Sequence, residues 1–588
     1  MITGSRINVL GTSTYLFTVS IYDEKGRVIQ VQAQNITGGT DIMTTQYTWA
    51  GQPLVAITKT EKTTTPNAQT TVIVTQLTYD DLGRVIKTEK KQSNTLVNGN
   101  AMSAYKSIAE NEYDKLGQLK KKKLAPAFNS NAGIETQNFE YNIRGWMLGL
   151  NRDYAKDVSS TNWFGFDLGY DKANNNIIGN QTYANPQYNG NIEGMVWKSK
   201  GDGEKRKYDF AYDAANRILK ADFTQYTGSV FNTSAGIDFS MKMGDGVNVG
   251  TAYDANGNIL QMQQWGLKLN TSPQIDNLAY TYQINSNKLA KVIDGIAGDN
   301  KLGDFKDGAN GSTDDYSYDV NGNLTLDNNK AISSITYNHL NLPSVITVTG
   351  KGTIAYTYDA AGNKIKKVTV DNTVSPSKTT TTLYLGGSVY QNDTLQFIAH
   401  EEGRIRFKPI VGANPASLQY DYFLKDHLGN VRVVLTEEQQ SDMYPAATME
   451  TATATTEEAY YSNLSATRVT LPSGYPANTP PGNARVALVN GGGNKIGPAI
   501  ILKVMVGDKF NLTVNSWWNS GSTPGTPVSA LTDLLNALSN NVGSVSGGKA
   551  TAVELTSSGL SNAAANSFLT SQSYNSAKPK AFINWIVL

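Results

Sequence analysis

One short motif recurs along this chain so often that it decides the class of fold open to it. The unit is Tyr-Asp-x-x-Gly, followed by Arg, Asn or Gln and usually an apolar residue. It reads Tyr22-Asp23-Glu24-Lys25-Gly26-Arg27-Val28 near the start. It returns at Tyr79-Asp80 with Gly83-Arg84, at Tyr113-Asp114 with Gly117, and at Tyr253-Asp254 with Gly257. Further copies are Tyr318-Asp319 with Gly322 and Tyr358-Asp359 with Gly362. Looser copies start at Tyr141, Tyr170, Tyr212, Tyr282 and Tyr337. The starts Tyr318, Tyr337 and Tyr358 stand 19 and 21 residues apart, which gives the minimal period. The repeat also accounts for composition, since Tyr occurs 31 times against 16 Phe and 8 Trp.

Each part of the unit has a physical task. Residues before the Tyr alternate in polarity, as in Thr353-Ile354-Ala355-Tyr356-Thr357-Tyr358, which is the period of a strand. Asp then opens a turn by accepting hydrogen bonds from nearby backbone N–H groups. Gly supplies the positive φ that the turn needs. The apolar residue after it restarts a strand, as in Arg84-Val85-Ile86-Lys87. Each copy therefore reads as one β-hairpin with Tyr packed against its neighbours. A lone hairpin is marginal in water, so the copies are expected to stack edge to edge in a long sheet.

These residues resemble the YD-repeat proteins, which include bacterial Rhs proteins and animal teneurins. The run Asp426-His427-Leu428-Gly429-Asn430-Val431-Arg432 is similar to the "DHLGNVR" motif near the Rhs-associated core. The Asn- and Thr-rich style resembles versions from the Bacteroidetes. The likeness covers about residues 15 to 440. It implies an all-β fold in which hairpins build a spiralling sheet, an open or hollow β-shell. In many relatives the shell encloses a toxic C-terminal segment or presents modules at the cell surface. In toxin-bearing relatives an Asp-containing core motif after this region releases the toxin. This sequence has no Asp-Pro dipeptide, which separates it from that pattern.

The expected organisation is a β-shell over 1–445, a linker over 446–458, and a β-sandwich-like module with a short helical insertion over 459–588. Residues 446–458 are small and polar without strand alternation. Beyond them, Leu502, Val504 and Val506 alternate before Gly507-Asp508, with Phe510, Leu512 and Val514 after, which predicts a hairpin. Thr526-Pro527 ahead of Ala530, Leu531, Leu534, Leu535 and Leu538 predicts a capped amphipathic helix. A second helix is expected over 552–571 and a closing strand over 582–588. Trp517 and Trp518 are candidates to stack on a sugar ring, although neighbouring strand residues point to opposite faces.

Chemistry is sparse. The formal charge of +1 gives no global pull toward nucleic acid or anionic membrane. The run Lys120 to Lys123 is read as a solvated strand end or loop. With no cysteine there are no disulfides or thiolate metal sites. No 18-residue apolar window predicts a membrane span. The opening MITGSRINVLGTSTYLF lacks the pattern of a secretory signal, so export by another machine or an upstream start is expected. The apolar close, AFINWIVL, reads as a strand cut short, the mark of a fragment. Of the histidines His339, His400 and His427, only Asp426-His427 suggests an acid–base pair, and no nucleophile accompanies it. The Asp254 and Asp319 loops resemble calcium loops faintly, but their Gly comes too early for an EF-hand. No catalytic residue, cofactor or metal is expected. The expected role is structural, a shell for containment or display outside the cell. Alternatives are an adhesin binding a surface glycan or protein, and a carrier whose effector segment is absent.

Overall fold

A computed structural model describes residues 3–517 except 159–160, 172–181, 269–270, 297–302, 309–312, 412–414, 439–442, 477–482, 491–492, 495, 503, 505–507, 509 and 511. The chain divides into two compact units, Met1–Glu438 and Gln439–Leu588.

The first unit is almost entirely antiparallel sheet. Among the described residues, twenty strands run from Gly4–Asn8 to Leu289–Asp294, and twelve more from Tyr316–Tyr318 to Val431–Thr436. Nearly every strand pairs with the one before it in sequence, so the topology is a meander and the Tyr-Asp turns share one edge. Buried Asp315 stitches the two sheets together. Its N–H donates to the Ala290 carbonyl at 2.8 Å, and its carboxylate accepts from the Val292 N–H at 2.7 Å. The beginning of the chain is tied to the second sheet as well. Val9 bridges Asp359, Leu10 N–H donates to the Tyr358 carbonyl at 2.9 Å, and Ala360 N–H donates to that of Asn8 at 2.8 Å. The sheets form no closed barrel: among the described residues, Val431–Thr436 pairs on one side only.

Where the sheets meet face to face, one core forms. Ile108, Leu124, Leu150, Phe164 and Phe166 of the first sheet pack with Leu395, Ile405, Tyr422 and Leu424 of the second. This is sheet-on-sheet packing, in which alternate residues of each strand point inward. The expected long sheet is thus present, with the addition that it folds back on itself. Fold-back also corrects the reading of Lys120 to Lys123. That run lies inside the strand Leu119–Leu124, where Lys121 pairs with Glu112 at 2.8 Å and Lys122 reaches Glu402 of the second sheet at 2.8 Å.

In the second unit, the stretch 446–458 is packed, contrary to the linker expected there. Ala454–Glu458 is helical, and Met449 and Glu457 are buried. The Glu457 carboxylate accepts from the hydroxyls of Thr448 and Thr453 at 2.5 and 2.7 Å, so buried polarity is satisfied locally. A short helix Leu464–Thr467 leads into the strand Arg468–Thr470, which pairs with Arg485–Ala487. The hairpin expected over 500–518 has its turn at Gly507 and much of both arms outside the described residues. Of its described residues, Val504, Phe510, Leu512 and Val514 are exposed. The helices expected around 526–538 and 552–571, the strand at 582–588 and Trp518 lie outside the described residues.

Candidate functional site

The motif residues converge on one local structure, a five-residue loop closed by a bulge. In the first copy Tyr22 pairs with Val28 after a register shift, Asp23 N–H donates to the Arg27 carbonyl at 2.9 Å, and Gly26 N–H to that of Asp23 at 3.0 Å. This is a tight turn followed by a residue in the left-handed region, the geometry that favours Gly. Gly26 has φ +77° and Gly83 φ +79°. The Asp uses its two oxygens separately. Asp80 Oδ1 accepts from the N–H groups of Leu82 and Arg84 at 3.0 and 2.9 Å, while Oδ2 accepts from Arg84 Nε at 2.7 Å.

The same arrangement holds at Asp254 and Asp319, where Asn258 and Asn323 replace Arg and donate at 2.7 and 2.9 Å. Those carboxylates, which resembled calcium ligands, are directed at their own turns. Asp114 with Gly117 and Asp359 with Gly362 repeat the loop. Tyr253 departs from the hairpin pattern in one respect: a single helical turn, Val249–Ala252, precedes it in place of a strand.

Asp426-His427-Leu428-Gly429-Asn430 is one more copy of this turn, with Lys425 in the Tyr position. Asp426 Oδ1 accepts from the N–H groups of Leu428 and Asn430, both at 2.9 Å, and Oδ2 from Arg432 Nε at 2.7 Å. Val431 pairs with Lys425, as each restarting residue pairs with its Tyr. No hydrogen bond joins Asp426 to His427. The His427 ring lies 5.8 Å from Phe166, and burial pushes its pKa down. Sequence reading also missed a copy at Tyr47-Thr48-Trp49-Ala50-Gly51-Gln52, where the Thr48 hydroxyl accepts from Gln52 N–H at 3.1 Å. The available signal was the spacing of Tyr47, Gly51 and Gln52, the same as that of Tyr113, Gly117 and Gln118.

The tyrosines have a shared task that the sequence does not spell. In most copies the hydroxyl donates to the carbonyl of the residue that restarts the chain after the preceding turn. Tyr47 reaches Val28 at 2.9 Å, Tyr79 reaches Pro53 at 2.6 Å and Tyr113 reaches Val85 at 2.9 Å. Farther along, Tyr253 reaches Ile218, Tyr282 reaches Ile259 and Tyr318 reaches Leu289, at 2.6, 2.8 and 2.8 Å. Above several rings sits the cation of the previous turn, with Arg27 4.9 Å from the Tyr47 ring centre and Arg84 4.7 Å from that of Tyr113. Cation–π contact and hydrogen bond together lock neighbouring hairpins. The degenerate copies at Tyr212 and Tyr337 obey the same rule, toward Ile192 and Leu324.

A second concentration of charge lies between the sheets. Lys90 meets Glu401 at 3.0 Å, Lys106 meets Glu437, and Lys122 meets Glu402. Lys62, with a side chain 0% exposed, donates to the carbonyls of Thr64 and Pro66 at 2.6 and 3.2 Å and pairs with Asp393 at 2.9 Å. His400 accepts at Nδ1 from Glu402 N–H, which leaves Nε2 to donate to the Asp421 carbonyl at 3.1 Å. This fits a neutral imidazole, and burial holds its pKa below 6.5. His339 sits exposed in the turn headed by Asn338.

One group of carboxylates could hold a cation by distance alone. The ligand oxygens of Asp276, Asp294 and Asp304 lie within 4.8 Å of one another. Two of the three anchor loops, with Asp276 accepting from Phe305 N–H and Asp294 from the N–H groups of Asn277 and Ile296. In the second unit, half-buried Trp517 sets its ring edge against Tyr475 at 5.3 Å.

Fold and turns together define an all-β repeat protein whose units are hairpins coupled by tyrosine hydroxyls. No family model matches the sequence, and no curated protein is significantly similar to it. Among solved structures, the chain is similar to the Photorhabdus luminescens Tc holotoxin pore at 13% identity over 72% of this chain and 23% of that one, with a TM-score of 0.32. It is similar to the TcdB2-TccC3 complex at 15% identity, over 72% of this chain and 24% of that one, with a TM-score of 0.29. A porin-like protein from Bacteroides uniformis is 14% identical over 40% of this chain and 86% of that one, at a TM-score of 0.15. The chain spans about a quarter of the length of the two toxin chains.

Proposed function

We infer that the chain is a structural wall of the Rhs, YD-repeat type, whose task is to contain or display another segment outside the cell and which carries out no catalysis itself. The observation that carries this reading is the coupling of successive turns by Tyr hydroxyls, seen for Tyr47, Tyr79 and Tyr113 and again for Tyr253, Tyr282 and Tyr318. Such coupling stiffens a sheet along its whole length, which a wall requires and a diffusible catalyst does not. The turn carboxylates are consumed by their own turns and the inter-sheet charges by each other, so the repeat residues are committed to architecture. No helix among the described residues is long and apolar enough to cross a membrane.

The test is single-particle electron microscopy of the purified chain. Density for a curved β-wall bordering a lumen is the expected result, and the lumen's contents would separate a carrier of an effector from an empty display scaffold. Separate compact domains with no bordered space would overturn the containment reading. The sugar-binding alternative is tested on a glycan array, where binding lost in Trp517→Ala would move the role to the second unit.

A further inference from the structure

The turns hold the ends of the strands in register, and four consecutive turns on one edge end in large apolar side chains. Trp49, Leu82, Leu116 and Ile143 sit at the tips of the loops headed by Thr48, Asp80, Asp114 and Asn142, and they are 90, 78, 82 and 100% exposed. The turn itself does not require them. Other copies fill the same tips with small residues, as Ala214-Ala215 and Ala360-Ala361 do. A shorter pair, Ile284 and Val320, repeats the feature farther along the sheet.

The row is rigid. Arg27 donates to the Thr48 carbonyl at 3.3 Å, Gln52 to that of Gly83 at 3.0 Å, and Arg84 to that of Asp114 at 3.5 Å. The turn of Trp49 is therefore fixed to that of Leu82, and the turn of Leu82 to that of Leu116, each about 10 Å away across two strand spacings. Between the apolar tips stand charges of both signs. Lys25 lies 3.8 Å from the Trp49 ring centre, Asp81 precedes Leu82, Lys115 precedes Leu116 and Arg144 follows Ile143.

We propose that this rim is a docking edge for the interfacial zone of a phospholipid bilayer. Isolated apolar side chains, spaced apart by charged residues, offer no continuous surface for a protein groove to cover. They suit a soft layer in which each tip inserts separately among headgroups. Trp is at home at that depth, where its ring is buried and its N–H stays wet. The neighbouring cations meet lipid phosphates and Asp81 meets lipid amines, so the rim complements zwitterionic headgroups. The sheet lies on the membrane by its edge and does not cross it.

Flotation of the full chain with equimolar phosphatidylcholine and phosphatidylethanolamine vesicles tests the assignment. The unmodified chain is expected to float with the vesicles. L82S/L116S should lower the partition coefficient at least tenfold with an unchanged melting temperature, and L82I/L116I should restore it. A chain that stays at the bottom of the gradient overturns the proposal. So does equal flotation of L82S/L116S. Self-association of the unmodified chain, lost in L82S/L116S and without vesicle binding, would assign the rim to a second copy instead.

Discussion

At the scale of single residues, the turn Asp does its work as an anion. The Arg27 N–H bonded to Asp23, and the Arg84 N–H bonded to Asp80, hold both carboxyls below their ordinary value of 3.8. Asn258 and Asn323 do the same for Asp254 and Asp319. Folding lowers these values, so their contribution to stability is full above pH 3.8 and is lost as pH falls through the folded values. The melting temperature is therefore expected to drop as pH is taken from 5 to 2. Asp80→Asn should flatten that dependence by lowering stability at pH 7, because an amide Nδ2 would face the Arg84 Nε donor to donor; the turns headed by Asn142 and Asn338 avoid this with Trp146 and Leu342 at that position. The tyrosines make a second prediction. Tyr79→Phe deletes the donor to the Pro53 carbonyl and should cost about 1 kcal/mol in urea unfolding. The Asp and Gly were legible in the sequence because their partners lie within four positions. The Tyr hydroxyl was not, since its acceptor lies in the preceding hairpin, as with the 28 positions between Tyr113 and Val85.

At the scale of the element, the loop is set by where a positive φ falls. Gly83→Ala should cost about 1–2 kcal/mol, since a left-handed backbone crowds any Cβ and this one would also meet the Gln52 side chain. Gly83→Asn should cost less, because Asn216 and Asn341 occupy the corresponding position at φ 63° and 57°. Unfolding of the two variants side by side checks the order. The missed turn at Thr48 shows where motif reading stops. The motif is written in side chains, but the loop is defined by backbone bonds, and Thr48 satisfies these with a hydroxyl in place of a carboxylate. The motif around Asp426 looked distinct for the converse reason: Lys425 stands where Tyr marks other copies.

At the scale of the whole first unit, the fold-back of one sheet on the other was hidden in the sequence. The repeat specifies neighbours, whereas the core joins Ile108 and Leu124 to Leu395 and Leu424. Lys62 tests this layer. Lys62→Ala leaves two carbonyls without their donor and removes the cation paired with Asp393, and should cost about 1–3 kcal/mol in urea unfolding. The bridge from Val9 to Asp359 spans 359 − 9 = 350 positions of chain. A ribosome adds about 5–20 residues per second, so roughly 20–70 s separate the synthesis of the two partners. Throughout that interval the first strand exists with its later partner unmade. The tie between the start of the chain and the Asp359 turn therefore cannot close until translation has passed that turn, although the first strand can pair with the second well before.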